Sequence, residues 1–164
     1  MTIMGIDPGF ALMGYGVIEK NGQRLTPIDC GVIQTPAGMR NSLRLKLLYE
    51  NLCKLISHFK PDAIAVEELF YHTNAKTVIT VGQARGVILL AAEMCNVPLY
   101  EYTPLQVKQA VVGYGRAEKH QIQQMVKVML NLAAVPKPDD AADAMAIAIT
   151  HANSVAMLNK TEGN

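Results

Sequence analysis

The chain has 164 residues, half of them apolar, with a formal charge of +1 at neutral pH. That length fits one domain able to bury a core without disulfides or a structural metal. The near-neutral charge neither supports nor excludes nucleic acid, because acidic residues gathered at one site would mask a basic surface elsewhere. Cys30, Cys53 and Cys95 are odd in number and lack a CxxC pair, which argues against a disulfide framework or a zinc site and for a reducing compartment.

In chain order, three β-type segments come first: Thr2 to Asp7, Leu12 to Glu19 and Ile28 to Thr35. Pro8-Gly9 and Lys20-Asn21-Gly22 separate them, and such short connections predict an antiparallel meander. Ser42 to His58 follows with Leu45, Leu48, Leu52, Leu55 and Ile56 at helical spacing, stopped by Pro61-Asp62. Ala63 to Glu67 is a short apolar run, and a loop over Phe70 to Asn74 leads to a helix ending near Met94. Val97 to Tyr102 is the next strand candidate, and strand, helix, strand in that order implies a parallel pair with a right-handed crossover.

Thr103-Pro104 starts a helix that Gly113 to Gly115 breaks. Glu118 to Asn131 makes another, and Lys137-Pro138-Asp139 opens the last, running to about Leu158. Residues 1–158 therefore read as one α/β domain, three antiparallel strands then two parallel ones with helices on both faces. Asn159 to Asn164 reads as a frayed polar tail. No signal-peptide pattern precedes Asp7 and no apolar stretch reaches the roughly 20 residues of a membrane span, so a soluble cytoplasmic protein with no membrane partner is expected.

Acidic residues stand at the ends of these elements. Asp7 closes the first strand where Pro8-Gly9 turns the chain, an address where α/β sites form, although an Asp before Pro-Gly is also a common turn former. Glu67 and Glu68 end the buried strand. Period-two alternation sends them to opposite faces, so only one should join Asp7, and the pattern does not say which. Asp140 and Asp143 share a face in the first turn of the last helix, with Asp139 placed as its N-cap. Acids there also answer the helix dipole. Ala141-Ala142 and Ala144 to Ala148 include enough small residues to keep that helix slim, as if it lay close on the sheet with its acids at the strand ends. Such an oxygen-only set suits Mg²⁺ or Mn²⁺, two of which about 4 Å apart activate water and stabilise the leaving oxygen in displacement at phosphorus.

Read together, Gly5-Ile6-Asp7-Pro8-Gly9, Val66-Glu67, Gly82-Gln83-Ala84-Arg85-Gly86, Gln106-Val107-Lys108, Ala117-Glu118-Lys119 and Asp140-Ala141-Ala142-Asp143 resemble the RuvC family of Holliday-junction resolvases over nearly the whole chain. The resemblance implies a ribonuclease H-like fold and a Mg²⁺-dependent homodimer that nicks four-way junction DNA symmetrically in recombination and repair. By the same likeness it works beside the RuvA-RuvB branch-migration complex. Asp7, Glu67, Asp140 and Asp143 take the places of the family's catalytic, metal-binding acids, which leaves Glu68 and Asp139 as neighbours and Asp139 as the cap. Lys108 and Lys119 match lysines that face DNA phosphates, with Arg116 and Lys127 adding charge nearby and Arg85 a further DNA-binding candidate. Phe70, in a loop with Tyr71 and His72, matches an aromatic that stacks on unpaired bases, with local packing as the alternative.

The helix over Val78 to Met94 is apolar nearly all round, and Gly82, Ala84, Gly86, Ala91 and Ala92 would admit a second copy's backbone. Three rivals remain on chemistry alone. A sugar kinase or actin-like ATPase needs two copies of such a fold and a second phosphate loop. A non-catalytic junction-binding module would lack the acids. A ribonuclease H-like enzyme acting on RNA hybrids would share them, and only the ordered motif set disfavours it.

Overall fold

The computed structural model describes residues 1–68 and 75–161. Its strands are β1 (Thr2–Asp7), β2 (Leu12–Asn21), β3 (Arg24–Gln34), β4 (Ala63–Glu67) and β5 (Leu99–Tyr102). The helices are α1 (Asn41–Phe59), α2 (Ala75–Met94), α3 (Pro104–Val112), α4 (Lys119–Met129) and α5 (Asp139–Thr161). They build one five-stranded sheet in the order β3-β2-β1-β4-β5. The pairs β1–β2 and β2–β3 are antiparallel, and β1–β4 and β4–β5 are parallel, as the short and long connections imply.

Alternation along the strands sorts side chains onto two faces. Met4, Ile6, Met13, Val17, Ile64 and Val66 pack under α1 and α2 with Leu48, Leu52, Ile56 and Ile88. Ile3, Ile18 and Ala65 face α5, joined by Val107, Val111, Val126 and Leu130 of α3 and α4 and the following turn. Asp7 and Glu67 have the same parity as Ile3 and Ala65, so both lie on the α5 face. On that face Gly5, Gly14 and Gly16 replace side chains, and a Cβ at each would run into Ala144, Asp140 and Met145 of α5 respectively. The alanine-rich helix therefore lies against the strand backbone itself.

Most boundaries shift by a residue or two from the sequence reading, and four differences are informative. β3 begins at Arg24 rather than Ile28, although Pro27 lies within it. β3 is an edge strand, where a residue without an N–H is tolerated. A register shift opposite it, between Val17 and Ile18, also absorbs the irregularity. β5 begins at Leu99, after Pro98. Asp139 is the first residue of α5 and not its cap. That helix continues to Thr161, so residues 159–161 expected in the tail are helical.

The Thr77–Met94 stretch of α2 is long and apolar enough to cross a membrane by length and composition, which corrects the expectation that no such stretch exists. Its Ala84, Ile88, Ala91 and Ala92 enter the core with Val87 packed against it, while Ile79, Leu90 and Met94 are exposed. Arg85 within it forms an ion pair with Glu101 of β5. Both features belong to a helix packed on protein along one side.

Candidate active site

Parallel pairing of β1 with β4 brings Asp7 and Glu67 to adjacent strand ends, one step past the Ile6–Val66 pair. The turn after Asp7 is held from three sides. A Cβ at Gly9 would overlap the Leu12 carbonyl, so only glycine fits there. Thr35 Oγ1 donates to the Phe10 carbonyl at 2.7 Å, and Arg44 Nε donates to the same Thr35 oxygen at 2.8 Å. The Arg44 guanidinium lies 4.3 Å from the centre of the Phe10 ring, a cation–π contact that fixes the turn to α1.

Asp143 comes from the first turns of α5 and, with Asp7 and Glu67, lines a pocket of about 230 Å³. Lys108 of α3 and Lys119 of α4 line it as well, over an apolar floor of Val107, Ile122 and Ile147. Asp140 lies beside this group, its backbone against Gly14, the register partner of Asp7. Parity thus resolves the adjacent pair: Glu67 enters the site, whereas the Glu68 backbone N–H bonds the Tyr102 carbonyl at 2.8 Å.

The crowded acids raise one another's pKa. Burial, then the charges of Asp143, Glu67 and Asp140, push Asp7 up to about 8 against a partial offset from Lys119. Glu67 is raised by burial and Asp143, with Lys108 opposing. Burial also raises Asp143, outweighing its hydrogen bond and ion pair with Lys119. Lys119 Nζ lies 3.1 Å from Asp143 and 3.6 Å from Asp139. Burial pulls the Lys119 ammonium down, but these carboxylates outweigh it and raise its pKa.

Among the described residues, no three His, Cys, Asp or Glu side chains stand as a closed metal-ligand set, and Lys119 supplies the positive charge at Asp143. The donor chemistry fits a hard divalent cation nonetheless. The converging donors are all carboxylate oxygens, and the excess negative charge that lifts Asp7 is what such an ion neutralises.

The remaining expected residues divide. Arg116 is exposed between α3 and α4, and Lys127 sits in the last turn of α4. Arg85 is half-buried and its ion pair ties α2 to β5, so its charge already has a structural partner. Asp139, placed as a helix cap, instead pairs with Lys137 at 2.8 Å and with Lys119, and these contacts lower its pKa. Phe70, Tyr71 and His72 lie outside the described residues. Two features escaped sequence reasoning. One is the Gly5, Gly14, Gly16 stripe, of which Gly5, two residues before Asp7 on the same strand, was the available signal. The other is a buried contact between Tyr102 and His151, far apart in sequence and without a local pattern.

A mixed sheet in the order β3-β2-β1-β4-β5, with carboxylates at the ends of its first and fourth strands and on the helix across them, defines a ribonuclease H-like, metal-dependent nuclease. The family model for crossover junction endodeoxyribonuclease RuvC matches residues 3–151, and the chain belongs to that family. The crossover junction endodeoxyribonuclease RuvC of Desulfitobacterium hafniense is 59% identical over 163 residues, covering 99% of each chain. Thermus thermophilus RuvC in complex with a Holliday junction substrate superposes with a TM-score of 0.90 at 37% identity, over 96% of each chain. The yeast mitochondrial Holliday junction resolvase Ydc2 has the same fold, with a TM-score of 0.71 at 20% identity, over 96% of this chain and 82% of its own.

Proposed function

We propose that this chain is a Holliday-junction resolvase that cuts four-way DNA by hydrolysing phosphodiester bonds at the Asp7, Glu67, Asp140 and Asp143 cluster. The convergence of these acids on one sheet edge, where burial and then the neighbouring charges raise Asp7 to about 8, carries the reading, together with family membership across residues 3–151. Two Mg²⁺ ions, with Mn²⁺ able to substitute, would be held by the four carboxylates and when bound supply an activated water and a stabilised leaving oxygen.

The chain's own groups do the rest. Asp7, largely buried and acted on by the charges of Asp143, Glu67 and Asp140 alike, would be the carboxylate central to that ligand set. Lys108 and Lys119 line the same pocket and bring compact positive charge to a phosphate entering it. Lys119 exchanges its carboxylate partner for that phosphate. Arg116 and Lys127 extend the basic surface along α4, and Phe70 stacks on unpaired bases at the junction centre. Arg85 serves DNA binding, at most, through the shape of α2.

Two active sites cutting symmetrically require a two-fold dimer. The exposed stripe of Ile79, Leu90 and Met94 on α2 supports one. Gly86 stands between Ile79 and Leu90 with open space where a Cβ would be. A mid-helix glycine costs about 0.5–1 kcal/mol against alanine, a cost that close approach of a second backbone would explain. Of the small residues noted in the sequence, Ala84, Ala91 and Ala92 are instead used inside the chain. Action beside the RuvA-RuvB branch-migration complex, in the cytoplasm where bacterial DNA lies, completes the proposal.

The test is cleavage of a synthetic four-way junction in Mg²⁺ by Asp7→Asn. Cutting is expected to vanish while gel-shift binding of the junction persists; full cleavage by the variant overturns the assignment.

A further inference from the structure

The site depends on α5 keeping its position along the sheet, because Asp140 and Asp143 ride on that helix while Asp7 and Glu67 end strands. Alanine-on-glycine contacts and Met145 seated over Gly16 fix how near α5 lies to β1 and β2, and apolar contacts of this kind carry no directional bond. A directional bond stands two turns further along. Tyr102 Oη and His151 Nδ1 are 2.7 Å apart, and His151 is 1% exposed. The His151 ring lies 4.3 Å from that of Tyr100, and its Nε2 has no partner among the described residues, so the bond to Tyr102 is the ring's polar anchor.

Tyr102 also connects to the site through its backbone. It is the register partner of Glu67, and its carbonyl accepts from the Glu68 N–H. The next residue, Thr103, caps α3: its Oγ1 accepts from the Gln106 N–H at 3.1 Å, while its own N–H donates to Gln106 Oε1 at 2.8 Å. One turn on, α3 carries Lys108 into the pocket. Tyr102 is therefore the residue where the Glu67 strand, the Lys108 helix and the helix of Asp140 and Asp143 meet.

We propose that Tyr102 and His151 are positioning residues for metal binding, their hydrogen bond pinning α5 against the strand edge that carries Glu67. The proposal rests on the reading of the four acids as one metal-binding cluster, and it assigns the pair no contact with DNA. The bond selects one placement of α5, in which Asp143 of that helix and Glu67 line the same pocket. Without it the acids remain but share that geometry only part of the time, so affinity falls while the chemistry at full occupancy persists.

The test is calorimetric titration of the full chain with Mn²⁺ in the absence of DNA, beside the Mn²⁺ dependence of junction cleavage. Tyr102→Phe is expected to raise the half-saturating Mn²⁺ concentration on the order of ten- to a hundredfold. Most of kcat should return at saturating metal. His151→Asn, whose amide reaches the position of Nδ1, should bind Mn²⁺ nearly as the parent does, whereas His151→Gln, which reaches the Nε2 position, should weaken it as Tyr102→Phe does. Should Tyr102→Phe fail to fold, the Asn and Gln pair decides. Unchanged half-saturation in Tyr102→Phe, equal behaviour of the Asn and Gln variants, or a kcat loss that metal does not recover overturns the proposal. Asp7→Asn separates the two levels: if it binds Mn²⁺ like the parent, the metal cluster itself is wrong, independently of the Tyr102 result.

Discussion

The two faces of the sheet solve different problems. Under α1 and α2 the contacts are Met, Leu, Ile and Val side chains, a core that tolerates small changes of volume. Under α5 the strands present Gly5, Gly14 and Gly16, and the helix answers with Ala144, Ala148 and its own backbone. All four acids assigned to metal belong to this second face or the helix lying on it. Close backbone packing leaves little freedom in the distance between strand ends and helix, which is what a shared ion demands of its ligands. Stability can come from the oily face, but placement comes from the bare one.

That contrast is open to attack by substitution. The largest expected effect is on chemistry: Lys119→Met should lower junction cleavage on the order of 10²- to 10³-fold, as loss of one preorganised charge at a reacting phosphate does. A kcat within a few-fold of the parent would reduce Lys119 to a partner of Asp143. Next, Gly14→Ala drives a methyl into the Asp140 backbone and should cost about 1–3 kcal/mol in urea melts, with cleavage falling further than the stability loss explains. Wild-type activity in that variant would show that α5 has slack. Ile88→Val, on the oily face, should cost about 0.5–1.5 kcal/mol and leave kcat unchanged.

A smaller and subtler effect concerns pH. Asp7 holds its proton more tightly folded, at about 8, than at its ordinary value of 3.8. In EDTA its contribution to stability is therefore fully present below 3.8 and is lost as pH rises through about 8, because the folded chain then carries a buried charge it would rather neutralise. Asp7→Asn removes that loss. Its melting temperature should exceed the parent's by an amount that grows with pH across this window, reaching at least about 2–4 °C, the shift that 1 kcal/mol produces in a domain of this size. A constant offset would mean that burial and its acidic neighbours do not raise Asp7 as described.

Much of this was legible in the sequence because its signals are local. Asp7 before Pro8-Gly9, the apolar run ending at Glu67, the Thr103-Pro104 cap and the slim acidic helix each announce themselves within a few residues. The choice of Glu67 over Glu68 needed the family likeness, because it depends on the register of β4 against β1, which pairs Ile6 with Val66. Pro27 hid the start of β3, since a proline argues against a strand until the strand is known to be an edge. Asp139 read as a cap because acids at a helix start look alike; only the third dimension shows it held by Lys137 and Lys119. The Tyr102–His151 bond joins residues 49 apart and leaves no periodic trace.

The central claim, that one cluster of four acids holds the metal, is tested most directly by anomalous diffraction from crystals soaked in Mn²⁺. The expected result is density among the carboxylates of Asp7, Glu67, Asp140 and Asp143, with Lys119 Nζ drawn away from its 3.1 Å contact with Asp143. Density elsewhere, or none at Mn²⁺ concentrations that support full cleavage, would contradict it.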